Sequence, residues 1–177
     1  MGRSIGLAVY LAFSERATGY AERRLQTRLQ RGKEDPARIG ERFGKTDVPR
    51  PEGTLVWFHA ASVGESLSIL ELIKRLSDQR EDLRFLVTTG TVTSAAMMNG
   101  RLPDTAVHQF VPVDVRHAIR AFLDHWKPDL AVWTESELWP ALMHETHAAG
   151  TRMLLINARI SPATHRKWRW FPGIAKS

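Results

Sequence analysis

The chain has 177 residues, of which 43% are hydrophobic, enough for one globular core. It contains no cysteine, which excludes disulfides, thiolate metal ligands and a cysteine nucleophile. The net charge of +6 is uneven: residues 1–50 carry 11 Lys and Arg against 6 Asp and Glu, residues 51–150 carry 8 against 13, and residues 151–177 carry 6 against none. Basic ends around an acidic centre indicate either an anionic partner, such as phospholipid, a phosphorylated ligand or nucleic acid, or ends that are simply solvated.

Residues 1–31 predict an amphipathic helix. The apolar run 5–13 is too short to span a bilayer, and no small-residue cleavage site follows it. The predicted apolar stripe comprises Val9, Phe13, Ala17, Ala21, Leu25 and Leu29, and the opposite face holds Arg16, Arg23, Arg24, Arg28 and Arg31. Such a helix suits either a membrane interface or packing against a domain, and the sequence leaves both open.

An alternation of apolar runs and helical segments begins at residue 54, after a Gly- and Pro-rich stretch, residues 32–53, that predicts a connector. The predicted strands are 54–59, 84–89, 106–111, 129–134 and 152–157, and the predicted helices are 65–79, 92–100, 115–126 and 137–149. Val-, Leu-, Ile- and Phe-rich strands joined through helices predict a parallel sheet with right-handed crossovers and helices on both faces. We therefore predict one α/β, Rossmann-like domain over residues 54–177.

Polar residues follow each predicted strand at its carboxyl end, where ligands bind in sheets of this kind. These segments are residues 59–65 (His-Ala-Ala-Ser-Val-Gly-Glu), 88–91 (Thr-Thr-Gly-Thr), 112–114, 134–140 and 157–159. Hydroxyl groups, small residues and two acidic sites thus converge on one edge of the sheet. We expect the functional site there.

Glu65 lies where the first predicted strand of the domain passes into its first helix. Small residues before it would let the backbone approach a ligand, and Gly64 would permit dihedral angles closed to other residues. The helix start also offers unpaired N–H groups and the positive end of the helix dipole. A carboxylate here is either a common helix-start acid or a positioned base.

The familiar cofactor and metal motifs do not occur in the sequence, and we predict neither a cofactor nor a metal. His144 and His147 lack both the zinc-protease spacing and an apparent third ligand, which favours surface residues. Residues 88–91 would suit either a phosphate, through hydroxyls and helix-start N–H groups, or a plain N-cap. Glu135, at a strand end, could orient a cation or a hydroxyl, or tune another acid. Glu137 more readily begins the next helix.

Four motifs in register resemble those of the 3-deoxy-D-manno-octulosonic acid (Kdo) transferases of Gram-negative bacteria. Residues 59–65 resemble the Ser-Val-Gly-Glu motif of that family, and residues 128–140, from Pro-Asp-Leu to Glu-Ser-Glu-Leu-Trp-Pro, resemble its second signature. Residues 157–161 (Asn-Ala-Arg-Ile-Ser) resemble a third, and residues 38–44 the Arg-x-Gly-Glu-Arg segment that precedes the first strand. The order and spacing of all four fit, so the resemblance covers essentially the whole chain.

The resemblance implies the amino-terminal half of a GT-B glycosyltransferase. In that family this domain accepts a lipid A precursor (lipid IVA), and a carboxyl-terminal domain binds the donor CMP-Kdo. Kdo is transferred to a hydroxyl of the acceptor in lipopolysaccharide core biosynthesis, with inversion and without a metal in the chemical step. Glu65 matches the general base of the family, and Glu135 matches a second acidic residue with a supporting catalytic role. As the base, the Glu65 carboxylate is expected to lie over an open cleft, where a sugar hydroxyl can be deprotonated. The predicted substrate-binding residues are Ser62, Gly64, Thr89, Glu137 and Arg159.

The donor domain is expected to lie outside these 177 residues, so we expect the chain alone to be inactive. The expected partners are the lipid A precursor, CMP-Kdo through the missing domain, and the cytoplasmic face of the inner membrane, bound peripherally or through a short amino-terminal anchor. Two alternatives remain. One is a non-catalytic module that binds lipid A or an anionic membrane. The other is a domain that binds nucleic acid through its basic ends, against which the acidic centre argues.

Overall fold

The computed structural model describes residues 5–61, 63–134 and 139–157. The helices are α1 (Ile5–Arg16), α2 (Thr18–Gln30), α3 (Val63–Gln79), α4 (Val92–Met98), α5 (Arg116–Trp126) and α6 (Pro140–Ala148), and a 3₁₀ helix spans Pro36–Phe43. The strands are β1 (Thr54–Ala60), β2 (Leu83–Thr89), β3 (Ala106–Phe110), β4 (Leu130–Thr134) and β5 (Arg152–Ile156). Every strand and helix predicted from residue 54 onward is present.

The five strands form one parallel sheet in the order β3-β2-β1-β4-β5. In this register His59 of β1 lies between Thr88 of β2 and Trp133 of β4. The strand order reverses at β1, so the crevice between the carboxyl ends of β1 and β4 is the switch point at which such sheets bind ligands.

Helices cover both faces of the sheet, because successive residues of each strand point to opposite sides. On one face Trp57 packs against Phe122 of α5, with ring centroids 4.9 Å apart, in a cluster that also includes α6. On the other face Phe58 packs with Ile69 of α3 and Met98 of α4. The predicted fold class, a Rossmann-like parallel sheet covered on both faces, is confirmed.

The strand β5 forms an edge of the described sheet, since it pairs with β4 on one side. Its residues Met153, Leu154 and Leu155 are exposed on both faces, at 37%, 49% and 44%. Apolar side chains at an exposed edge are uncommon, because such edges invite pairing with other strands.

The amino-terminal segment is two helices rather than one, and the predicted apolar stripe is divided between them. In α2, Ala21 and Leu25 are buried, but in α1 Val9 and Phe13 are 65% and 62% exposed. Polar contacts select the inward face of α1: the buried Ser14 hydroxyl donates to the carbonyl of Asp114 at 2.7 Å. Among the described residues, no helix is long and apolar enough to cross a bilayer.

Residues 32–53, predicted as a connector, contain the 3₁₀ helix, which is docked against the sheet. The Asp35 side chain caps it by accepting the N–H of Ala37 at 2.9 Å. The helix ends at Gly44, whose φ of +76° is in the left-handed region. A Cβ at Gly44 would lie 2.3 Å from the carbonyl oxygen of Ala118 in α5, so this close approach requires glycine.

Candidate functional site

The Glu65 carboxylate joins the ends of the two strands at the switch point. Its Oε2 accepts the backbone N–H of Ala61, just after β1, at 2.9 Å. The same oxygen lies 3.0 Å from the hydroxyl of Thr134, the last residue of β4. The Thr134 hydroxyl is also 2.9 Å from the carbonyl oxygen of His59. These contacts hold the carboxylate in one orientation between the two strand ends.

The Glu65 side chain is more enclosed than the sequence indicated. We expected a carboxylate in an open cleft, but the residue is only 7% exposed. The expectation of an open position is therefore wrong. The reason is that Oε2 contacts Ala61, just after β1, and Thr134, at the end of β4, so the side chain lies between the two strands.

A groove of about 660 Å³ lies beside this turn, between the amino-terminal helices and the carboxyl ends of the strands. The strand side of its wall includes His59, Ala61 and Gly90, and Trp139, just before α6, also lines it. The helix side is mainly apolar and aromatic and includes Tyr10, Phe13, Tyr20 and Leu25. Glu65 does not line the groove but contacts it through Ala61.

Three arginines reach the groove, and an acid pairs with two of them. Glu34 accepts Nε of Arg28 at 2.5 Å and Nε of Arg42 at 2.8 Å. Arg42 also donates to the carbonyl of Gly90 at 2.8 Å and thereby holds the loop after β2. Burial lowers the pKa of Arg42, and the charge of Glu34 opposes that effect. The third arginine, Arg24, lines the groove and is exposed.

His59 is a buried, neutral histidine on the groove wall, 2% exposed. Burial lowers its pKa to about 4, against opposing effects of the Glu65 carboxylate and a backbone hydrogen bond to Thr88. Its Nδ1 lies 3.0 Å from the hydroxyl of Thr88, and its ring contacts Trp133 and Trp139 edge to face. Within the described part of the chain, Nε2 has no hydrogen-bond partner.

Asp114, which lines the groove, forms hydrogen bonds with two of the surrounding helices. Its carboxylate accepts the hydroxyl of Tyr10 in α1 at 2.5 Å and the N–H of Leu142 in α6 at 2.8 Å. Burial raises the pKa of Asp114, and the hydrogen bonds from Tyr10 and α6 oppose that shift. Asp114 therefore joins α1 to the start of α6 beside the groove.

A second cavity, of about 470 Å³, lies beside the 3₁₀ helix and includes Arg38 and His108. Arg38 donates to both carboxylate oxygens of Glu41, at 2.7 and 2.9 Å. The pKa of His108 is lowered to about 3, first by burial and then by the charges of Arg38 and Arg42. Because these polar groups already have partners, we place the candidate site in the larger groove.

The structure describes three of the seven predicted site residues. Those outside the described residues are Ser62, Glu135, Glu137 and Arg159. Gly64 lies within the first turn of α3 without a positive φ, so the argument that it supplies unusual dihedral angles is wrong. A Cβ at Gly64 would meet nothing within 4 Å.

Thr89 is fully buried, and its hydroxyl lies 2.9 Å from Nε2 of His108. It therefore faces β3 and does not line the groove. Its substrate-binding role stays a prediction. Of the two interpretations of residues 88–91, the structure has the N-cap: the Thr91 side chain accepts the N–H of Ser94 at 3.1 Å.

The sequence did not single out His59, Thr134 or Asp114 as site residues. His59 belongs to the motif that ends at Glu65, and its position at a strand end was the signal that could have found it. Thr134 and Asp114 also lie in segments that follow strands, but their contacts join residues far apart in the chain.

Comparisons with known proteins agree with the motifs. A family described as "3-Deoxy-D-manno-octulosonic-acid transferase (kdotransferase)" matches residues 37–177. The 3-deoxy-D-manno-octulosonic acid transferase of Rickettsia bellii (strain RML369-C) is 42% identical over 142 residues, which cover 80% of this chain and 34% of that protein. A probable mitochondrial 3-deoxy-D-manno-octulosonic acid transferase of Arabidopsis thaliana is 38% identical over 144 residues, or 81% of this chain and 32% of that protein.

A third relative is the 3-deoxy-D-manno-octulosonic acid transferase of Haemophilus influenzae (strain ATCC 51907 / DSM 11121 / KW20 / Rd). It is 32% identical over 133 residues, which cover 73% of this chain and 31% of that protein. The chain thus spans about a third of the length of the curated relatives it matches. With the family match over most of its length, the chain belongs to the Kdo transferase family of glycosyltransferases, in the amino-terminal domain of that family.

Proposed function

We propose that this chain is the acceptor half of a GT-B Kdo transferase, which moves Kdo from CMP-Kdo to a hydroxyl of a lipid A precursor with Glu65 as the general base. One observation carries the proposal. Ala61 and Thr134 orient the Glu65 carboxylate at the switch point of the sheet, next to the groove of about 660 Å³.

The reaction needs a base, because a sugar hydroxyl is a poor nucleophile until its proton is taken. The acceptor oxygen forms a bond to the anomeric carbon of Kdo, the bond from that carbon to the CMP phosphate oxygen breaks, and CMP leaves with the electron pair. The hydroxyl proton passes to Glu65. A carboxylate nearby also eases the positive charge that develops at the anomeric carbon, and Glu135 would support this role.

The Thr134 hydroxyl can serve both protonation states of Glu65. It has one proton and two acceptors in reach, Glu65 Oε2 and the carbonyl oxygen of His59. When Glu65 is ionised, that proton can point to the carboxylate. When Glu65 has gained a proton, the carboxyl can donate to the Thr134 oxygen, and Thr134 can donate to His59. The base can therefore accept a proton without leaving a new donor unpaired.

The side chains that line the groove are complementary to an amphipathic, phosphorylated acceptor. Phe13, Tyr20 and Leu25 on the helix side suit acyl chains, and the exposed Arg24 suits a phosphate. The outward face of α1, with Val9 and Phe13, suits the surface of the membrane that holds such a lipid. These features support a site of action at the cytoplasmic face of the inner membrane.

The test is Glu65→Gln in the complete enzyme, with this chain joined to its donor domain. The amide keeps the shape of the side chain but cannot accept the proton, so we expect turnover to fall at least about 100-fold. Glu71→Gln is the matched control, because Glu71 lies on the same helix, is exposed and pairs with Arg75. Circular dichroism checks that both variants fold. Near-normal turnover of the Glu65→Gln enzyme would rule out the base.

A second candidate function is a non-catalytic module that binds lipid A or an anionic membrane. The exposed apolar face of α1, from Ile5 to Phe13, favours it, since this surface needs no donor domain to act. Binding of the chain to lipid A precursor vesicles, together with no turnover when a donor domain is added, would support this candidate over the enzyme.

A further inference from the structure

We infer that Gly64 is a specificity-determining residue of the transfer reaction: the donor sugar lies where a side chain at this position would be, so only glycine leaves room for it. The inference rests on the proposed function and assigns to Gly64 the donor rather than the acceptor.

The first observation is that the described fold does not require a glycine at this position. Gly64 is the second residue of α3, and its φ is not positive. Beyond its chain neighbours and its own helix backbone, a Cβ built on it would meet no described residue within 4 Å. At Gly44, by contrast, φ is +76° and a Cβ would lie 2.3 Å from a carbonyl oxygen. Neither of these constraints applies to Gly64.

The second observation is that glycine weakens the helix in which it lies. Its unfolded backbone has more conformational freedom to lose than that of any other residue, which makes it a poor helix former. Alanine would fit at Gly64 without strain among the described residues and would stabilise α3. A glycine that weakens its own helix and avoids no clash there indicates that the space beside it is occupied by something outside the described residues.

The third observation is that this space lies next to the base. Gly64 precedes Glu65, so their Cα atoms are about 3.8 Å apart. Of the described residues around Glu65, Ala61 and Val63 are half-buried and Ser66 is buried, whereas Gly64 is exposed. In the transfer step the acceptor oxygen is hydrogen-bonded to the base and lies about 3–3.5 Å from the anomeric carbon of the donor. The donor sugar therefore lies close to the base, where Gly64 is the exposed backbone.

The position of the acceptor leaves this space to the donor. The groove proposed for the acceptor is lined by Ala61 and by residues of the amino-terminal helices such as Phe13 and Leu25, and Gly64 is not among the residues that line it. An acceptor in the groove reaches the base from the side of Ala61. The two substrates share the reacting oxygen but occupy different volumes, so the space over Gly64 belongs to the Kdo unit of CMP-Kdo.

A segment of the chain outside the described residues is the competing explanation, since it could also fill the space over Gly64. The two explanations differ in the state of the protein in which a side chain would clash. If a segment of the chain fills the space, a side chain at residue 64 clashes in the free protein and lowers its stability. If the donor fills it, the clash arises only when the donor binds.

The first measurement is thermal unfolding of the 177-residue chain. We expect Gly64→Ala to raise the Tm by about 1–3 °C, because alanine is the better helix former and meets no clash. Gly19→Ala is the matched control. Gly19 is also the second residue of a helix, α2, is exposed, has no positive φ and would place its Cβ in open space. Its substitution should raise the Tm by a similar amount.

The second measurement is steady-state kinetics of the complete enzyme, with this chain joined to its donor domain. We expect Gly64→Ala to lower kcat/KM for CMP-Kdo at least about 10-fold and Gly64→Leu at least about 100-fold, because added volume in a packed site is poorly tolerated. The KM for the lipid A precursor should stay within about 2-fold of the wild-type value. Gly19→Ala and Gly19→Leu should keep wild-type kinetics, since Gly19 does not line the groove.

The outcomes separate the inference from the proposed function. A lower Tm of Gly64→Ala would mean that a segment of the chain fills the space, and the inference is overturned. Wild-type kcat/KM for CMP-Kdo in both Gly64 variants, or a loss confined to the KM for the acceptor, also overturns it. In each of these cases the proposed function stands if Glu65→Gln abolishes turnover. If the wild-type complete enzyme transfers no Kdo, the proposed function fails and the inference fails with it.

Discussion

Two histidines, the buried His59 and the half-buried His108, make the stability of the protein depend on pH. Burial is the main cause that lowers the pKa of His59 to about 4 and that of His108 to about 3. In the unfolded chain both should titrate near the ordinary value of about 6.5. As pH falls, the unfolded state therefore binds protons first. The stability linked to these groups is full above about pH 6.5 and is lost as pH falls towards the folded pKa values.

We predict that His59→Gln removes part of this dependence. Between pH 7.5 and pH 5, His59 should lower the free energy of unfolding of the wild-type chain by about 2 kcal/mol, a contribution that the variant lacks. Urea unfolding at the two pH values measures the difference. His147→Gln, at an exposed position, is the control and should follow the wild type. Equal pH dependence of His59→Gln and wild type would contradict the prediction.

The position of Glu65 could be predicted from the sequence, but its contacts could not. Glu65 could be identified from its place at a strand-to-helix junction, which is a local pattern. Its enclosure and its contact with Thr134 could not, because the two residues are 69 positions apart and meet only when β1 and β4 pair. The same pairing brings Trp133 beside His59.

The 3₁₀ helix is anchored by charged side chains rather than by an apolar face. Arg42 is 4% exposed and donates hydrogen bonds to the carboxylate of Glu34 and the carbonyl of Val111. Its guanidinium carbon also lies 4.6 Å from the ring centroid of Phe110. Arg38 also lies over the Phe110 ring, with its guanidinium carbon 4.7 Å from the ring centroid. The helix therefore depends on a buried ion pair and on stacking against β3.

We predict that Arg42→Met destabilises the chain by about 3–5 kcal/mol, because it leaves Glu34 buried with one fewer cation. Glu34→Gln combined with Arg42→Met should cost clearly less than the sum of the single changes, since both charges are then removed. A double-mutant cycle in urea measures this. Arg75→Met, in an exposed pair with Glu71, is the control and should have little effect. Strict additivity would show that the two charges are not coupled.

Gly44 allows the 3₁₀ helix and α5 to pack closely, because it has no side chain. Gly44→Ala would place its Cβ 2.3 Å from the carbonyl oxygen of Ala118, whereas Gly32→Ala, also at a positive φ, meets nothing within 4 Å. We predict that Gly32→Ala costs about 1 kcal/mol from backbone strain and that Gly44→Ala costs at least about 2 kcal/mol more. Chemical unfolding measures both. Equal costs would show that α5 moves aside freely.

Local hydrophobic periodicity was sufficient to predict the strands of the sheet and the helices that cover it. The strands and helices after residue 54 follow apolar patterns that the chain shows within a few residues. The 3₁₀ helix has no such pattern, because its partner Phe110 lies far along the chain, and it was predicted as a connector. The inward face of α1 is likewise chosen by the hydrogen bonds of Tyr10 and Ser14 to Asp114.

The whole molecule combines an outward apolar face on α1 with a basic amino-terminal region. Ile5, Val9 and Phe13 are 82%, 65% and 62% exposed and lie on one side of the helix. Residues 1–50 carry an excess of positive charge, with 11 Lys and Arg against 6 Asp and Glu. Apolar insertion and attraction to anionic lipids act together in interfacial helices.

We predict that the chain sediments with phosphatidylglycerol vesicles and that Phe13→Glu weakens this binding at least about 10-fold, because an exposed aromatic side chain that would enter the lipid interface is replaced by an anion. Leu72→Glu on α3 is the control, since Leu72 is also an exposed apolar residue, at 38%. Added salt should weaken the binding of the wild type. Equal losses in both variants would mean that α1 does not form the membrane contact.

The edge strand β5 is expected to promote self-association of the chain at high concentration. Its backbone offers hydrogen-bonding groups along a line flanked by Met153, Leu154 and Leu155, a combination that lets one molecule act as a template for the next. Self-association of this kind grows with concentration and would compete with every binding measurement made at high protein load. Dilution, or a lysine that interrupts the apolar run, should suppress this self-association.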